Sequence, residues 1–153
     1  MLNKNQFGFI KNVSVNECKF KANSIIKELR TNSSSRKRGS ILFIDIKGAY
    51  DSVNRSLLFH LLEANNILSK NSIDLLKWLY KNITVRLGNY STSTSKGVPQ
   101  GMRTSPLLFN FYIDGILDTL HKSKIKALFF ADDMAIFVED RTQLREAIKI
   151  MES

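Results

Sequence analysis

Three carboxylates in this sequence stand where short apolar segments end, and acids in that position are able to do chemistry. Asp45 directly follows an apolar run that has the length and composition of a buried strand. Asp132 and Asp133 separate two further apolar runs. These runs, 127–131 and 134–138, predict a hairpin with the two acids at its tip. If the three strands are neighbours in one sheet, the three carboxylates converge on one edge of that sheet.

Such a cluster of acids suits a divalent cation, because like charges that are packed closely repel one another. Mg²⁺ prefers carboxylate oxygens and keeps positions for water and substrate phosphates. Two such ions together stabilise the attacking and leaving oxygens of phosphoryl transfer. The ordinary alternative is that each acid only serves its turn, since Asp is a favoured turn residue. His60 and His121 have no partner at metal-ligand spacing, so a histidine-based metal site is not expected.

A third segment, residues 97–106, combines glycines with polar and basic side chains. Glycine allows the backbone to approach a ligand closely. Gln100 is able to donate and to accept hydrogen bonds, and Arg103 together with the helix start beyond it favours anions. That start is predicted by Ser105 as the N-cap, followed by proline at the first helical position. The alternative is an ordinary loop that leads into a helix.

The rest of the chain predicts a mixed fold of helices and short strands. Ser14 and Glu17 form a capping box at the first helix. A hairpin is predicted around Gly88 and Asn89, and the serine-rich, basic stretch 31–40 predicts an exposed linker. Helices are predicted at about 15–30, 54–64 and 72–82, from Ser105 to about 121, and after a cap at Thr142.

The charge of the chain favours a polyanionic partner. Lys and Arg number 23 against 14 Asp and Glu, a net charge of +9 over 153 residues, and nucleic acid is the commonest partner of so basic a protein. A solubilising surface charge, or a basic ribosome-associated protein, is the alternative. A single cysteine, Cys18, excludes an internal disulfide. The start has no secretory signal, and no apolar run approaches the ~20 residues of a membrane span, so we expect an intracellular protein without a membrane partner.

Three motifs resemble those of the reverse transcriptase family, especially its non-LTR retrotransposon and group II intron branch. Residues 43–51, Phe-Ile-Asp-Ile-Lys-Gly-Ala-Tyr-Asp, look like motif A of that family. Residues 97–101 with 105–110 look like motif B, and residues 130–133 look like motif C, with Phe in place of the commoner Tyr. Residues 6–9, Gln-Phe-Gly-Phe, are similar to a segment that the family carries ahead of motif A. The order and spacing of the motifs fit, and the resemblance covers nearly the whole chain.

The resemblance implies a polymerase with three catalytic acids. Asp45 and Asp132, with the backbone of Ile46, would bind two Mg²⁺ ions, for which Mn²⁺ is the alternative. Asp133 would be a supporting carboxylate beside them. Tyr50 matches an aromatic steric gate, whose ring leaves no room for the 2′-hydroxyl of a ribonucleotide. The alternative for Tyr50 is simple packing in the core.

Further residues are expected to contact the nucleotide or the nucleic acid. The nucleotide-binding candidates are Lys47, Gly48, Ala49, Tyr50 and Gln100. The nucleic-acid-binding candidates are Arg86, Gly101, Arg103 and Phe130. By the resemblance, Gln100 and Gly101 lie against the template and the nascent base pair, and Phe130 flanks the primer terminus. The basic residues Lys47, Arg86 and Arg103 are hypotheses for phosphate contacts, with solvated surface charge as the alternative.

The resemblance also implies an α+β reverse transcriptase palm, an antiparallel sheet with packed helices. The palm would occupy residues 41–153, after the end of the fingers region in 1–40. The thumb would be absent, and the missing fingers and thumb segments would act in cis or in trans. RNA template, DNA or RNA primer and dNTPs are the implied partners of this piece of a retroelement polymerase. Two alternatives stay open: a truncated or domesticated remnant that binds nucleic acid without catalysis, and an RNA-dependent RNA polymerase, against which Tyr50 argues.

Overall fold

The computed structural model describes residues 2–31, 39–81 and 83–152, and these form six helices and five strands. In chain order the elements are α1 (Val15–Thr31), β1 (Ser40–Asp45), α2 (Ala49–Ser52), α3 (Arg55–Ala64), α4 (Lys70–Lys81), β2 (Thr84–Leu87), β3 (Tyr90–Ser93), α5 (Ser105–Lys122), β4 (Lys126–Phe130), β5 (Asp133–Val138) and α6 (Arg141–Glu152). Most of the predicted linker, residues 32–38, lies outside the described residues. Within the described ranges, no helix is long and apolar enough to cross a membrane.

The chain divides into two compact units. One, the sheet unit, contains residues 2–46 and 113–152, and the other, the central unit, contains residues 47–112. The central unit is thus inserted into the sequence of the sheet unit between β1 and the second half of α5. All three predicted catalytic acids belong to the sheet unit.

The sheet unit is built on a three-stranded antiparallel sheet in the order β1–β5–β4. Along the ladder between β1 and β5, Ser40 pairs with Val138 at one end and Asp45 pairs with Asp133 at the other. β4 and β5 form a hairpin that closes at the pair of Phe130 and Asp133. β1 and the β4–β5 hairpin are therefore neighbours in one sheet, which is the condition under which the three acids converge.

The turn of this hairpin lies one residue earlier than the sequence predicts. The apolar runs place the turn at Asp132 and Asp133, whereas β4 ends at Phe130 and β5 already begins at Asp133. Ala131 and Asp132 are the two turn residues. Ala131 has a φ of 57°, and a positive φ at the first central position is what the mirror-image turns of tight hairpins require. Because Ala131 is the first of the two turn residues, Asp133 already belongs to the strand ladder. Of the two acids, Asp132 alone lies in the turn.

Successive residues of a strand face opposite sides of a sheet, and both faces of this one bury apolar residues. One face packs against α1 and the N-terminal segment. The buried residues of that cluster come from the N-terminal segment, α1, β4 and β5: Phe7, Ile25, Leu128 and Phe137. On the opposite face, Phe129 and Ile136 are fully buried. α6 packs against β5 and buries Ala147. The core of the unit therefore lies on the two sides of β4 and β5.

β1 is less buried than its composition predicts. A continuous apolar run favours a strand that is buried on both faces, but β1 is an edge strand, and the side chain of Phe43 is 76% exposed. Phe43 borders a cavity of about 490 Å³ between α1 and the sheet. The expectation of a fully buried strand is wrong because a cavity, rather than packed side chains, separates α1 from this part of β1.

The predicted ends of the first and last helices are correct only in part. The carboxylate of Glu17 accepts a hydrogen bond from the amide of Ser14 at 3.3 Å, which is one half of the predicted capping box. The predicted cap of the last helix, Thr142, is wrong. Asp140 caps α6 instead, and its Oδ1 accepts from the amides of Thr142 at 2.9 Å and Gln143 at 3.0 Å. Two amides that α6 leaves unpaired are satisfied in this way.

The helices and the hairpin of the central unit agree with the sequence within two residues, except that the short helix α2 is not predicted. In the hairpin, Leu87 pairs with Tyr90 across the turn that begins at Gly88, whose φ is 59°. α3 packs against α4. Phe59 of α3 meets Tyr80 of α4 edge to face, with ring centroids 5.7 Å apart.

The loop after β3 lies directly on the backbone of α2. The amide of Gly97 donates to the carbonyl of Val53, and the amide of Val98 donates to the carbonyl of Tyr50, each at 2.8 Å. Gly97 has a φ of 81°, and a Cβ there would lie 2.9 Å from the Cα of Asp51. Both the conformation and the space require glycine at this position. The start of motif B is therefore fixed against motif A by backbone contacts.

We expect Gly97→Ala to lower the free energy of unfolding by about 1–3 kcal/mol, because alanine is strained at positive φ and its Cβ would press on α2. Gly115→Ala is the matched control, since Gly115 lies in α5 with open space around it. A glycine in a helix interior is less stable than alanine by about 0.5–1 kcal/mol, so this control should be stabilised. Urea denaturation measures both changes, and equal free energies for Gly97→Ala and wild type would contradict the packing.

Candidate active site

Two acids face each other at the open end of the sheet. Asp45 is the last residue of β1, and Asp133, its partner in the ladder, is the first residue of β5. Opposite residues of antiparallel strands share one face of the sheet, with Cα atoms about 4.5–5.5 Å apart. Both side chains are exposed, and Asp132 precedes Asp133 at the tip of the hairpin. The strand pairing therefore brings the three acids to one sheet edge.

The chemistry of these donors fits a hard divalent cation. Carboxylates offer acceptor oxygens only, and Mg²⁺ is usually bound by one or two carboxylates together with water and substrate phosphates. Within the described ranges, no three side chains of His, Cys, Asp or Glu form a ready-made metal cage. Asp45 is exposed and Asp132 is half-buried, so both carboxylates remain open to an ion that arrives with its substrate. His60 and His121 are exposed on their helices and belong to no such group.

An apolar cavity of about 490 Å³ lies beside the acids. Its wall includes Phe43 and Phe130 from the sheet and Cys18 from α1. Phe130 pairs with Asp133 across the hairpin and so lies at the same end of the sheet as the carboxylates. Burial raises the pKa of the Cys18 thiol, although nearby Lys21 opposes this shift, so the thiol stays neutral and behaves as part of the apolar wall.

In the central unit, the structure brings Tyr50 together with the loop of motif B. They line a cavity of about 400 Å³. Its lining residues are Tyr50, Gln100, Gly101, Met102, Ser105 and Pro106. The ring of Tyr50 is half-buried and packs against Phe109, with centroids 5.2 Å apart. The hydroxyl of Ser105 donates to the carbonyl of Pro99 at 2.6 Å, so its predicted role as the N-cap of α5 is wrong, and it closes the loop instead.

The remaining candidates are distributed between the surface and the interior. Ala49 is only 5% exposed, so its side chain belongs to the core of the central unit. Gly48 has a φ of 61° and precedes α2. The three basic candidates are exposed: Lys47, Arg86 and Arg103. Exposure suits phosphate contact and solvated surface charge equally, so their role stays a prediction.

Sequence reasoning missed Arg55, which fixes the segment that leads into motif B. Arg55 is 8% exposed, and its guanidinium donates to the carbonyls of Gly97 at 2.7 Å and Tyr80 at 2.9 Å. It also donates to the carbonyl and the hydroxyl of Thr94. The segment before motif B is thereby tied to α3 and α4. The available signal was helical spacing, since Arg55 shares the buried face of α3 with Leu58.

The charge of Arg55 is held by neutral groups. Burial lowers the pKa of its guanidinium, yet an arginine remains protonated in proteins. The guanidinium carbon lies 5.3 Å from the centre of the Tyr80 ring, a distance at which the ring face attracts a cation. Substituting Arg55 would leave several carbonyls without donors, and buried polar groups in that state are destabilising.

Comparison with known proteins gives a family for this arrangement. Residues 1–153 match the family model described as reverse transcriptase (RNA-dependent DNA polymerase). The chain is 31% identical over 166 aligned positions to the Retrovirus-related Pol polyprotein from type-1 retrotransposable element R2 of Nasonia vitripennis, with 100% of this chain and 16% of the relative covered. It is 30% identical over 115 positions to the corresponding polyprotein from type-2 retrotransposable element R2DM of Drosophila melanogaster, with 67% and 11% covered. The chain thus spans less than a fifth of the length of these curated relatives.

A solved structure shows the same fold. Apo telomerase from Candida Tropicalis, truncated from the C-terminal domain, matches with a TM-score of 0.62 at 15% identity, over 98% of this chain and 32% of that one. At this identity the likeness concerns the fold alone, and it agrees with the predicted palm of antiparallel strands and packed helices. The match over the full length and the relatives at 30% identity or more establish the wider relationship. This chain belongs to the reverse transcriptase (RNA-dependent DNA polymerase) family.

Proposed function

We propose that this chain is the catalytic palm of an RNA-directed DNA polymerase, which adds dNTPs to a primer 3′-hydroxyl on an RNA template. The observation that carries the proposal is the pairing of Asp45 with Asp133, beside Asp132, at one end of the sheet. The relatives are described as Pol polyproteins of retrotransposable elements, which supports a role within a retroelement polymerase.

Asp45 and Asp132, with the backbone carbonyl of Ile46, would hold two Mg²⁺ ions, and Asp133 would support them. When bound, such ions supply a Lewis acid that activates the primer hydroxyl and neutralises the charge of the departing pyrophosphate. The protein itself needs no further acid or base at this step, because positioning and charge stabilisation account for most of phosphoryl transfer. The role of the acids is therefore to keep their oxygens at fixed positions on a rigid sheet edge.

Tyr50 would select the sugar of the incoming nucleotide. Its ring is held by Phe109 and its carbonyl by the amide of Val98, but part of the ring remains at the wall of a cavity. A half-buried ring in that position suits a steric gate better than simple core packing. Gln100 and Gly101 line the same cavity and would lie against the template and the new base pair.

The charge of the chain would hold the nucleic acid. A net charge of +9 attracts the phosphate backbone regardless of sequence, and Arg86 and Arg103 are exposed for such contacts. RNA template, DNA or RNA primer and dNTPs are the proposed partners. Phe130 would flank the primer terminus. An intracellular location is part of the proposal, because all of these substrates are found inside the cell.

We expect Asp132→Asn to reduce primer extension to background, because an amide loses the negative charge that would hold the metal ions. The assay measures extension of a primer on an RNA template with dNTPs and Mg²⁺, in the natural protein that contains this chain. Asp74→Asn is the matched control, since Asp74 is exposed on α4, and it should leave extension unchanged. Extension that survives in Asp132→Asn would rule out the metal assignment, and no extension by wild type would favour a non-catalytic remnant.

We expect Tyr50→Ala to raise the use of ribonucleotides relative to deoxynucleotides by about tenfold or more, because the space of the ring then admits a 2′-hydroxyl. Tyr50→Phe keeps the ring and should keep the discrimination. The ratio of kcat/KM for the two nucleotide classes is measured for each variant. An unchanged ratio in Tyr50→Ala would mean that this ring is not the gate.

A further inference from the structure

Gln6 is a buried polar side chain that the proposed mechanism does not use. It is 4% exposed, and its Oε1 accepts hydrogen bonds from the amides of Gly8 at 2.9 Å and Ala131 at 3.1 Å. Its Nε2, also buried, has no hydrogen-bond partner within the described part of the chain. Buried polar groups are nearly always paired, so the two hydrogen bonds that Oε1 accepts are the polar contacts that hold this side chain in the interior.

The orientation of the amide follows from its neighbours. Both groups that Gln6 contacts are backbone N–H donors, so the oxygen and not the nitrogen must face them. Ala131 is the first turn residue of the β4–β5 hairpin, and the strand ladder closes one residue before it. Its amide therefore lacks a partner in the ladder, and the side chain of Gln6 supplies one.

The segment around Gln6 is itself fixed to β4. The amide of Phe7 donates to the carbonyl of Phe129, and the amide of Phe129 donates to the carbonyl of Asn5, each at 2.8 Å. Gly8 lies so close to the turn that a Cβ there would be 2.8 Å from the Cα of Ala131. The segment thus contacts the turn through a side chain and through its own backbone.

We propose that Gln6 is a positioning residue for the catalytic hairpin. By accepting from the amide of Ala131, it holds that residue in a left-handed conformation that alanine rarely adopts. Asp132 is the next residue, so the direction of its carboxylate depends on the backbone of Ala131. The inference rests on the proposed function only in assigning a metal to Asp132.

The decisive variant is Gln6→Met, which keeps the volume of the side chain and removes the acceptor. Gln143→Met is the matched control, because Gln143 accepts from the amide of Glu139 at 2.8 Å, just beyond the opposite end of β5. Both substitutions remove one glutamine that accepts from backbone amides in the sheet unit. Only the first adjoins the catalytic turn.

Three measurements on the natural protein that contains this chain test the role. Gln6→Met should weaken Mn²⁺ binding, followed by electron paramagnetic resonance, by about tenfold or more, as the loss of a group that orients a metal ligand does. It should lower kcat at least about tenfold through misplacement of the carboxylate, with the KM for dNTP within about twofold of wild type. The amide of Ala131 should exchange its hydrogen faster. Gln143→Met should change none of these.

Combining Gln6→Met with Ala131→Gly tests whether Gln6 acts through the turn. Glycine adopts a positive φ without assistance, so the double variant should recover part of the kcat and of the Mn²⁺ affinity. If Gln6→Met alone folds poorly, the double variant still allows the same measurements. A double variant as impaired as the single one would overturn the proposal. So would wild-type Mn²⁺ affinity and kcat in Gln6→Met.

The polymerase function and the role of Gln6 can each be disproved without the other. If wild type extends no primer, the proposed function is wrong, but amide exchange at Ala131 needs no catalysis and still decides the role of Gln6. Faster exchange in Gln6→Met would keep Gln6 as the residue that orders the turn. Equal protection of the Ala131 amide in Gln6→Met and wild type would overturn the inference, whatever the activity.

Discussion

The proposed active site depends on the register of β1 against β5. The pairing of Asp45 with Asp133 places two carboxylates on one face of the sheet, and a slip of one residue would turn the side chains of β1 to the other face. Ile41 of β1 and its ladder partner Phe137 of β5 both pack in the apolar cluster beneath α1, so burial on that face favours this register. Burial of the sheet therefore determines where the exposed acids lie.

A second level of constraint acts on the loops, and in each unit a buried polar side chain provides it. In the sheet unit Gln6 accepts from the turn that carries Asp132. In the central unit Arg55 donates to the carbonyls of Thr94 and Gly97, ahead of the loop that forms a cavity with Tyr50. Loops carry catalytic residues best when a rigid scaffold holds them. Both side chains connect a loop to an element that is distant in the sequence.

Local patterns predicted the elements, and tertiary contacts decided the details that the sequence missed. Apolar runs and helical spacing identified the helices longer than one turn, both hairpins and the strand that ends at Asp45, because such signals depend on a few adjacent residues. The turn at Ala131 was misplaced because alanine rarely adopts a left-handed conformation, and the residue that accepts from its amide, Gln6, is distant in the sequence. The burial of Arg55 was missed because its acceptors are carbonyls of residues that are distant in the sequence. The exposure of Phe43 was missed because composition does not reveal which part of a strand a helix packs against. For Asp45, Asp132 and Tyr50, the motifs predict functional roles. Packing alone would not distinguish these roles from a purely structural role.

In the proposed active site, the end of β1 and the hairpin turn surround the same metal ions. The most direct measurement is cleavage by hydroxyl radicals, generated from Fe²⁺ bound in place of Mg²⁺, with the cut sites identified by mass spectrometry. A shared metal site should give cuts both near Asp45 and near the turn of Ala131 and Asp132, and Asp45→Asn should lose both sets together. Cuts at only one of the two segments, or cuts that persist in Asp45→Asn, would contradict a shared metal site.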